Sequence, residues 1–293
     1  GNRRNIEVDF FGGEPLMAMD TVKATVEYAR SIEEQHGKCF RFTITTNGVL
    51  LDDENIDYIN REMSNAVLSL DGRKEVNDDL RPTINSKGSY DVIVPKFKKL
   101  IAGRGTKDYY LRGTFTRFHK DFAEDVKELA AIGKNVSVEP VVGKESDPYA
   151  IQESDLPELK AEYEKLAEYL KDHRETNFFH FNVDLQQGPC VIKRLRGCGA
   201  GCEYVAITPD GDIYPCHQFV GNEDYKLGSV KDGTFDNSLS SRFAGLNVYT
   251  REECAHCWAR FYCSGGCSAS NLLVGGDIKH PHKVGCELER KRL

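Results

Sequence analysis

Residues 6–16 read Ile6-Glu7-Val8-Asp9-Phe10-Phe11-Gly12-Gly13-Glu14-Pro15-Leu16, apolar alternation that breaks into a glycine pair and then Glu-Pro. The alternation predicts a strand over 6–11. A glycine pair there permits a sharp turn and a close backbone approach to a ligand. A helix is expected over 20–36, and the rhythm repeats outward from it. Further strands are expected over 40–45, 66–70, 109–116 and 136–141, with helices over 53–62, 90–102, 122–132 and 155–172. In the last of these, Leu156, Leu159, Tyr163, Leu166 and Leu170 recur at helical spacing. Strands alternating with helices predict an α/β fold with a parallel sheet, wound by right-handed crossovers into a full or partial barrel. Chemistry in such folds gathers where strands end and loops begin.

Composition narrows the function. With 39 Lys+Arg against 46 Asp+Glu, the 293-residue chain carries a net charge of −7 and offers no general basic face for nucleic acid. No apolar run is long enough to span a bilayer. The chain opens at Gly1 without an initiating Met or a secretory signal. It is therefore expected to be part of a longer, cytoplasmic protein whose thiols stay reduced.

Ten cysteines are placed unevenly: Cys39, Cys190, and eight between Cys198 and Cys286. Residues 174–197 lose periodicity and include Gln186-Gln187-Gly188-Pro189-Cys190, so they are read as a linker between a first domain (1–173) and a small second one (198–293). The second holds a hairpin-like segment over 204–214, turning at Pro209-Asp210-Gly211-Asp212. With so little apolar periodicity it needs staples. Cys198-x3-Cys202, Cys216, Cys254-x2-Cys257-x5-Cys263-x3-Cys267 and Cys286 supply two sets of four, enough for two zinc ions or two iron-sulfur clusters. Ligand type alone leaves both open.

Gly12-Gly13-Glu14-Pro15, Thr46-Asn47-Gly48, Ser69-Leu70-Asp71-Gly72 and the cysteine spacing together resemble the radical S-adenosylmethionine enzymes that carry a C-terminal SPASM domain. The run Val8 to Met17, with Cys216-His217-Gln218-Phe219-Val220-Gly221, is most similar to the maturases of six-cysteine (SCIFF) peptides, which install thioether bonds. The resemblance implies a partial (β/α)6 radical SAM barrel lacking its first strand, followed by a cysteine-rich SPASM domain. It implies S-adenosylmethionine bound by Gly12, Gly13, Glu14, Pro15, Asn47, Ser69, Asp71 and Arg112, the last pairing with a carboxylate. As residues alone, Ser69 and Asp71 also suit a plain turn and Arg112 an ion pair.

The same resemblance implies two auxiliary [4Fe-4S] clusters. Cys254, Cys257, Cys263 and Cys286 would hold the outer one. Cys267 would cross over to join Cys198 and Cys216 at the inner one, which Cys202 or Cys190 completes or which stays open for a substrate thiol. His217 stands where sulfatase-maturing relatives carry an acidic base, and suits either proton transfer or a hydrogen bond to cluster sulfur. His256 and His180 are read as ordinary surface or packing residues.

No Cys-x3-Cys-x2-Cys triplet, the family's ligand set for its radical-generating cluster, occurs in residues 1–293. A third [4Fe-4S] cluster is therefore expected on ligands outside this sequence, with the radical chemistry belonging to the parent. The expected activity is thioether cross-linking of a cysteine-rich ribosomal precursor peptide, fed by an electron donor such as flavodoxin or ferredoxin. Sulfatase-type formylglycine formation is the alternative within the class. A zinc-stabilised scaffold protein is the alternative outside it.

Overall fold

The computed structural model describes residues 3–183 and 191–293, which fall into two compact units. Residues up to 115, with 119–140 and 164–179, form the first; residues 116–118, 141–163 and 180–293 form the second.

The first unit alternates strand and helix: β1 (Asn5–Phe10), α1 (Met19–His36), β2 (Cys39–Thr46), α2 (Asp53–Glu62), β3 (Asn65–Ser69), α3 (Lys74–Leu80), α4 (Tyr90–Ala102), β4 (Asp108–Phe115), α5 (Phe122–Ile132), β5 (Asn135–Pro140) and, beyond α6 (Leu156–Asp172), β6 (Asn177–Phe178). All six strands are parallel, in the order β1-β2-β3-β4-β5-β6. Each crossover moves one strand onward in the same sense, so right-handed connections bring the helices to one face. Alternate strand residues bury that face: Phe42 and Ile44, Ala66 and Leu68, Leu111, Val136 and Val138. They meet Val22 and Val26 of α1, Ile56 and Ile59 of α2, Phe97 and Leu100 of α4 and Val126 and Leu129 of α5 in one buried layer. The other face carries Asp9, Thr43, Thr45, Ser69, Arg112 and Glu139, none of them fully buried.

The expected strands are present, each opening one residue earlier than its apolar run. Asn5, Cys39, Asn65, Asp108 and Asn135 join the ladder through backbone bonds that make no demand on the side chain. Helices 53–62, 90–102 and 122–132 have the expected bounds. The sequence reading did not include α3, whose seven residues hold too few apolar positions for a period, or β6, which is two residues long.

The second unit continues with α7 (Val191–Arg196) and a four-stranded antiparallel sheet of β7 (Ala206–Ile207), β8 (Asp212–Tyr214), β9 (Gly228–Ser229) and β10 (Thr234–Phe235), ordered β10-β9-β8-β7. Five helices follow: α8 (Asn237–Gly245), α9 (Glu252–Ala255), α10 (Arg260–Cys263), α11 (Ser268–Gly275) and α12 (Lys283–Arg292). The expected hairpin is β7-β8, with Ile207 opposite Ile213 and Gly211 N–H donating to Thr208 O at 2.8 Å. Its core is small: Ile213, Tyr214, Cys216, Phe219, Leu227, Leu239, Phe243, Leu246, Ala269 and Ile278. Residues 174–197, read as a linker, contain β6 and α7, while Cys190 lies outside the described residues. No described helix is long and apolar enough to cross a membrane.

Candidate functional site

At the C-terminal end of β1, Gly12 and Gly13 have φ of 84° and 53°. A Cβ on either would meet nothing within 4 Å. Glycine is thus needed for conformation rather than for space, and both peptide groups stay accessible. Glu14 then gathers the neighbouring chain ends. Its Oε1 accepts from Leu16 N–H (3.1 Å) and the Thr46 hydroxyl (2.7 Å), and its Oε2 accepts from Asn47 N–H (2.8 Å). One carboxylate therefore caps the short 3-10 turn Pro15–Ala18 and ties the end of β1 to the end of β2. Asn47 uses its Oδ1 within its own turn, accepting from Val49 N–H at 2.9 Å, and Pro15 is buried at the start of the turn.

Ser69 and Arg112 are direct partners across β3 and β4, so their side chains share the polar face. Arg112 is exposed, and among the described residues no hydrogen-bond acceptor holds its guanidinium. Asp9 faces the same concavity: burial pushes its carboxyl up despite some solvent access, Arg112 pulls it part of the way back, and Glu7 adds to the rise. The sequence reading did not single out Asp9, although Glu7 and Asp9 alternate with the apolar residues of β1 and so had to face away from the helices.

Asp71 is 3% exposed and its carboxylate is held by protein donors. Thr114 N–H donates to Oδ1 at 2.8 Å, and the Arg81 guanidinium grips both oxygens. It links the end of β3 to β4 and to the residue following α3, placing Ser69 and Arg112 by way of the backbone.

The nine described cysteines, Cys39 in the first unit and eight in the second, carry free thiols. Cys254, Cys257, Cys263 and Cys286 line one cavity together with Arg260, Glu289 and Arg290. Electrostatic coupling joins Cys216 to Cys267 and Cys198, and Cys202 to Cys198. Four of the thiols thus share one cavity, and Cys216 lies near Cys198 and Cys267, with Cys202 near Cys198. Burial pushes the Cys216 and Cys263 thiols up to about 11, and raises those of Cys202, Cys254 and Cys286. A bound metal reverses this preference, because it deprotonates the thiols it takes as ligands. His217 is exposed, next to Cys216, with Nδ1 3.4 Å from the Tyr204 hydroxyl.

An acceptor-rich sulfur cluster fits this donor set. Arg260 Nε, on a residue lining the four-cysteine cavity, is buried without a partner among the described residues, as are Arg251 Nε and Asn271 Nδ2. Among those residues no three His, Cys, Asp or Glu groups converge as they would around a single ion. A four-iron cluster holds its thiolates on separate metal atoms, farther apart than the four on one zinc.

Comparison with known proteins agrees. Residues 198–258 match the SPASM model, an iron-sulfur cluster-binding domain. The chain is 24% identical to a cysteine-type anaerobic sulfatase-maturating enzyme of Clostridium novyi, over 90% of this chain and 73% of that one. It is 28% identical to the mycofactocin maturase MftC of Mycolicibacterium smegmatis, over 94% and 69%. The structure of anSMEcpe with bound AdoMet and a Cp18Cys peptide superposes with a TM-score of 0.79 at 18% identity, covering 99% of this chain and 83% of that one, a likeness of fold. The chain thus carries a SPASM iron-sulfur cluster-binding domain over residues 198–258 and is similar along its length to enzymes that mature sulfatases and mycofactocin.

Proposed function

We propose that the chain is the S-adenosylmethionine-binding and auxiliary-cluster part of a maturase that joins cysteine sulfur to carbon in a ribosomal precursor peptide. The observation that carries the reading is the gathering of Cys254, Cys257, Cys263 and Cys286 on one cavity of the second unit, in a chain whose first unit ends β1 in Gly12-Gly13-Glu14-Pro15. In this reading Gly12, Gly13 and Pro15 present backbone to the methionyl amino group, and Glu14 fixes that backbone. Asn47 holds the next turn, and Ser69 faces the ligand. Arg112, without an acceptor of its own, takes the carboxylate through its planar fork. Asp71 keeps the ends of β3 and β4 in place.

Cys254, Cys257, Cys263 and Cys286 hold one auxiliary [4Fe-4S] cluster, and Cys198, Cys202, Cys216 and Cys267 the other. Joining sulfur to carbon removes one hydrogen from each; S-adenosylmethionine supplies the acceptor of the carbon-bound hydrogen atom, and the clusters supply the sink for the remaining electron. His217, exposed beside Cys216, takes the thiol proton. The partners are a cysteine-rich peptide and an electron carrier such as flavodoxin or ferredoxin. A Cys-x3-Cys-x2-Cys segment for the radical-generating cluster comes from outside residues 1–293. A sulfatase-type peptide oxidation is the second reading, favoured by the relative from Clostridium novyi.

Two measurements test the proposal. Iron and acid-labile sulfide analysis after anaerobic reconstitution is expected to give about eight of each per chain, whereas zinc without sulfide would reject it. A longer polypeptide carrying the triplet ahead of residue 1 is then given the peptide. The expected product is lighter by two hydrogens per bond and resists thiol alkylation. Loss of mass with every thiol still alkylated rejects the thioether in favour of the second reading.

A further inference from the structure

Arg251 is 4% exposed and is fixed by carbonyl and hydroxyl oxygens. Its Nη1 donates to Ile278 O at 2.7 Å and to Lys279 O, and its Nη2 donates to the Ser268 hydroxyl at 3.1 Å. Its Nε is buried without a partner among the described residues. A Cβ at Gly265 would stand 2.9 Å from its Cδ and 3.0 Å from its Nε. The guanidinium thus runs against the backbone between Cys263 and Cys267, the two neighbours in sequence that belong to different cysteine groups.

Burial pulls the Arg251 guanidinium down, and the groups that counter it are Cys254, Asp277, Cys263 and Cys267. Three of the four are thiols proposed as cluster ligands, two in one group and one in the other. A buried cation with no closely paired carboxylate is costly unless an anion is delivered to it. A cluster ligated by four thiolates is such an anion, and it gains one more negative charge on taking up an electron.

Resting on the cluster reading above, we propose that Arg251 is a positioning residue that raises the potential of both auxiliary clusters, because it lies against the segment that joins their ligands. Its fixed positive charge favours the more negative, reduced form of each cluster. Its buried Nε–H is a donor left for a ligand or cluster sulfur, an interaction that acts in the same direction.

The test uses the chain of residues 1–293 reconstituted with iron and sulfide, in which no third ligand triplet contributes a signal. One-electron reduction by dithionite is followed at set potentials by electron paramagnetic resonance. Arg251→Gln is expected to lower the reduced-to-oxidised ratio of the four-cysteine-cavity cluster about tenfold at a fixed potential, a shift of about 59 mV for one electron. The second cluster shifts in the same direction. Arg251→Lys retains most of the potential, and Ser268→Ala, which removes an anchor but no charge, leaves it near wild type. If Arg251→Gln binds full iron and sulfide with both potentials unchanged, or if Ser268→Ala shifts them equally, the inference is overturned. Absence of clusters from the wild-type chain would instead overturn the cluster reading itself. Should Arg251→Gln fail to fold, the lysine and alanine variants decide the question between them.

Discussion

Replacing Glu14 by Gln changes one atom and tests whether this carboxylate organises the strand ends. Oε1 accepts from Leu16 N–H and Thr46 Oγ1, and Oε2 accepts from Asn47 N–H. Glutamine's oxygen can keep the first pair, but its amide nitrogen then faces the Asn47 N–H, donor against donor. A hydrogen bond to a charged group contributes about 1.5–3 kcal/mol, and Glu14 is only half-buried, so a local loss of about 2 kcal/mol is expected. The two units need not unfold together, which makes a single global midpoint a poor readout. Amide hydrogen exchange by mass spectrometry reads the local effect. Protection over residues 44–50 should fall about thirtyfold, which is 2 kcal/mol at about 1.4 kcal/mol per factor of ten. Segments around Trp258, in the other unit, should not change. Equal protection in variant and wild type, or an equal loss around Trp258, would refute the role given to Glu14.

Four further outcomes follow from the same geometry. Arg112→Ala should weaken S-adenosylmethionine binding in calorimetry at least tenfold with little change in thermal unfolding, since no protein acceptor among the described residues depends on it; undiminished affinity would remove it from the ligand set. Burial raises the Asp9 carboxyl, so the stability linked to it is complete below pH 3.8 and is lost as pH rises through the raised value. Asp9→Asn should therefore stabilise the chain at pH 7 and lose that advantage near pH 4, and a pH-independent difference in urea midpoint would count against this. Asp277, held down at about 2 chiefly by the His280 N–H, contributes stability above pH 3.8 that is lost as pH falls towards 2; Asp277→Asn should differ from wild type at neutral pH and converge with it in acid. Gly265→Ala places a Cβ against the anchored Arg251 at a φ of 87° and should destabilise the second unit by about 1–3 kcal/mol, measured by Trp258 fluorescence in denaturant.

The sheet was legible because each strand carries its own signature: Val8 and Phe10 alternate with Asp9, and Leu68 with Ser69, whatever lies beside them in space. That Cys254, Cys257, Cys263 and Cys286 line one cavity agrees with the grouping that spacing and the family resemblance suggest for them. Arg81, by contrast, offers no sign in sequence that it reaches back to Asp71, because its partner is fixed by the turn into α3 and not by any period. Asp71 for that reason reads equally as ligand or turn residue until the Thr114 N–H and the Arg81 guanidinium are seen on it. Arg251 was invisible for a related reason: its anchors, Ser268, Ile278 and Lys279, come from distant stretches of chain.

The order in which the chain visits the two cysteine groups has a consequence for assembly. Cys198, Cys202 and Cys216 come first, then Cys254, Cys257 and Cys263 of the other group. Cys267 then returns to the first and Cys286 to the second. Neither group can be completed without chain that also serves its neighbour, and the crossing falls between Cys263 and Cys267, where Ser264, Gly265 and Gly266 all have positive φ. If both sets hold clusters as proposed, closing one set of thiolates around metal removes loop entropy from the other, and Arg251 lies against this crossing. Cys267→Ser should for that reason lower iron content at both sites rather than at one. Iron analysis with electron paramagnetic resonance on the reconstituted variant decides the point, and a four-cysteine-cavity cluster retained at full occupancy would show that the sites assemble independently.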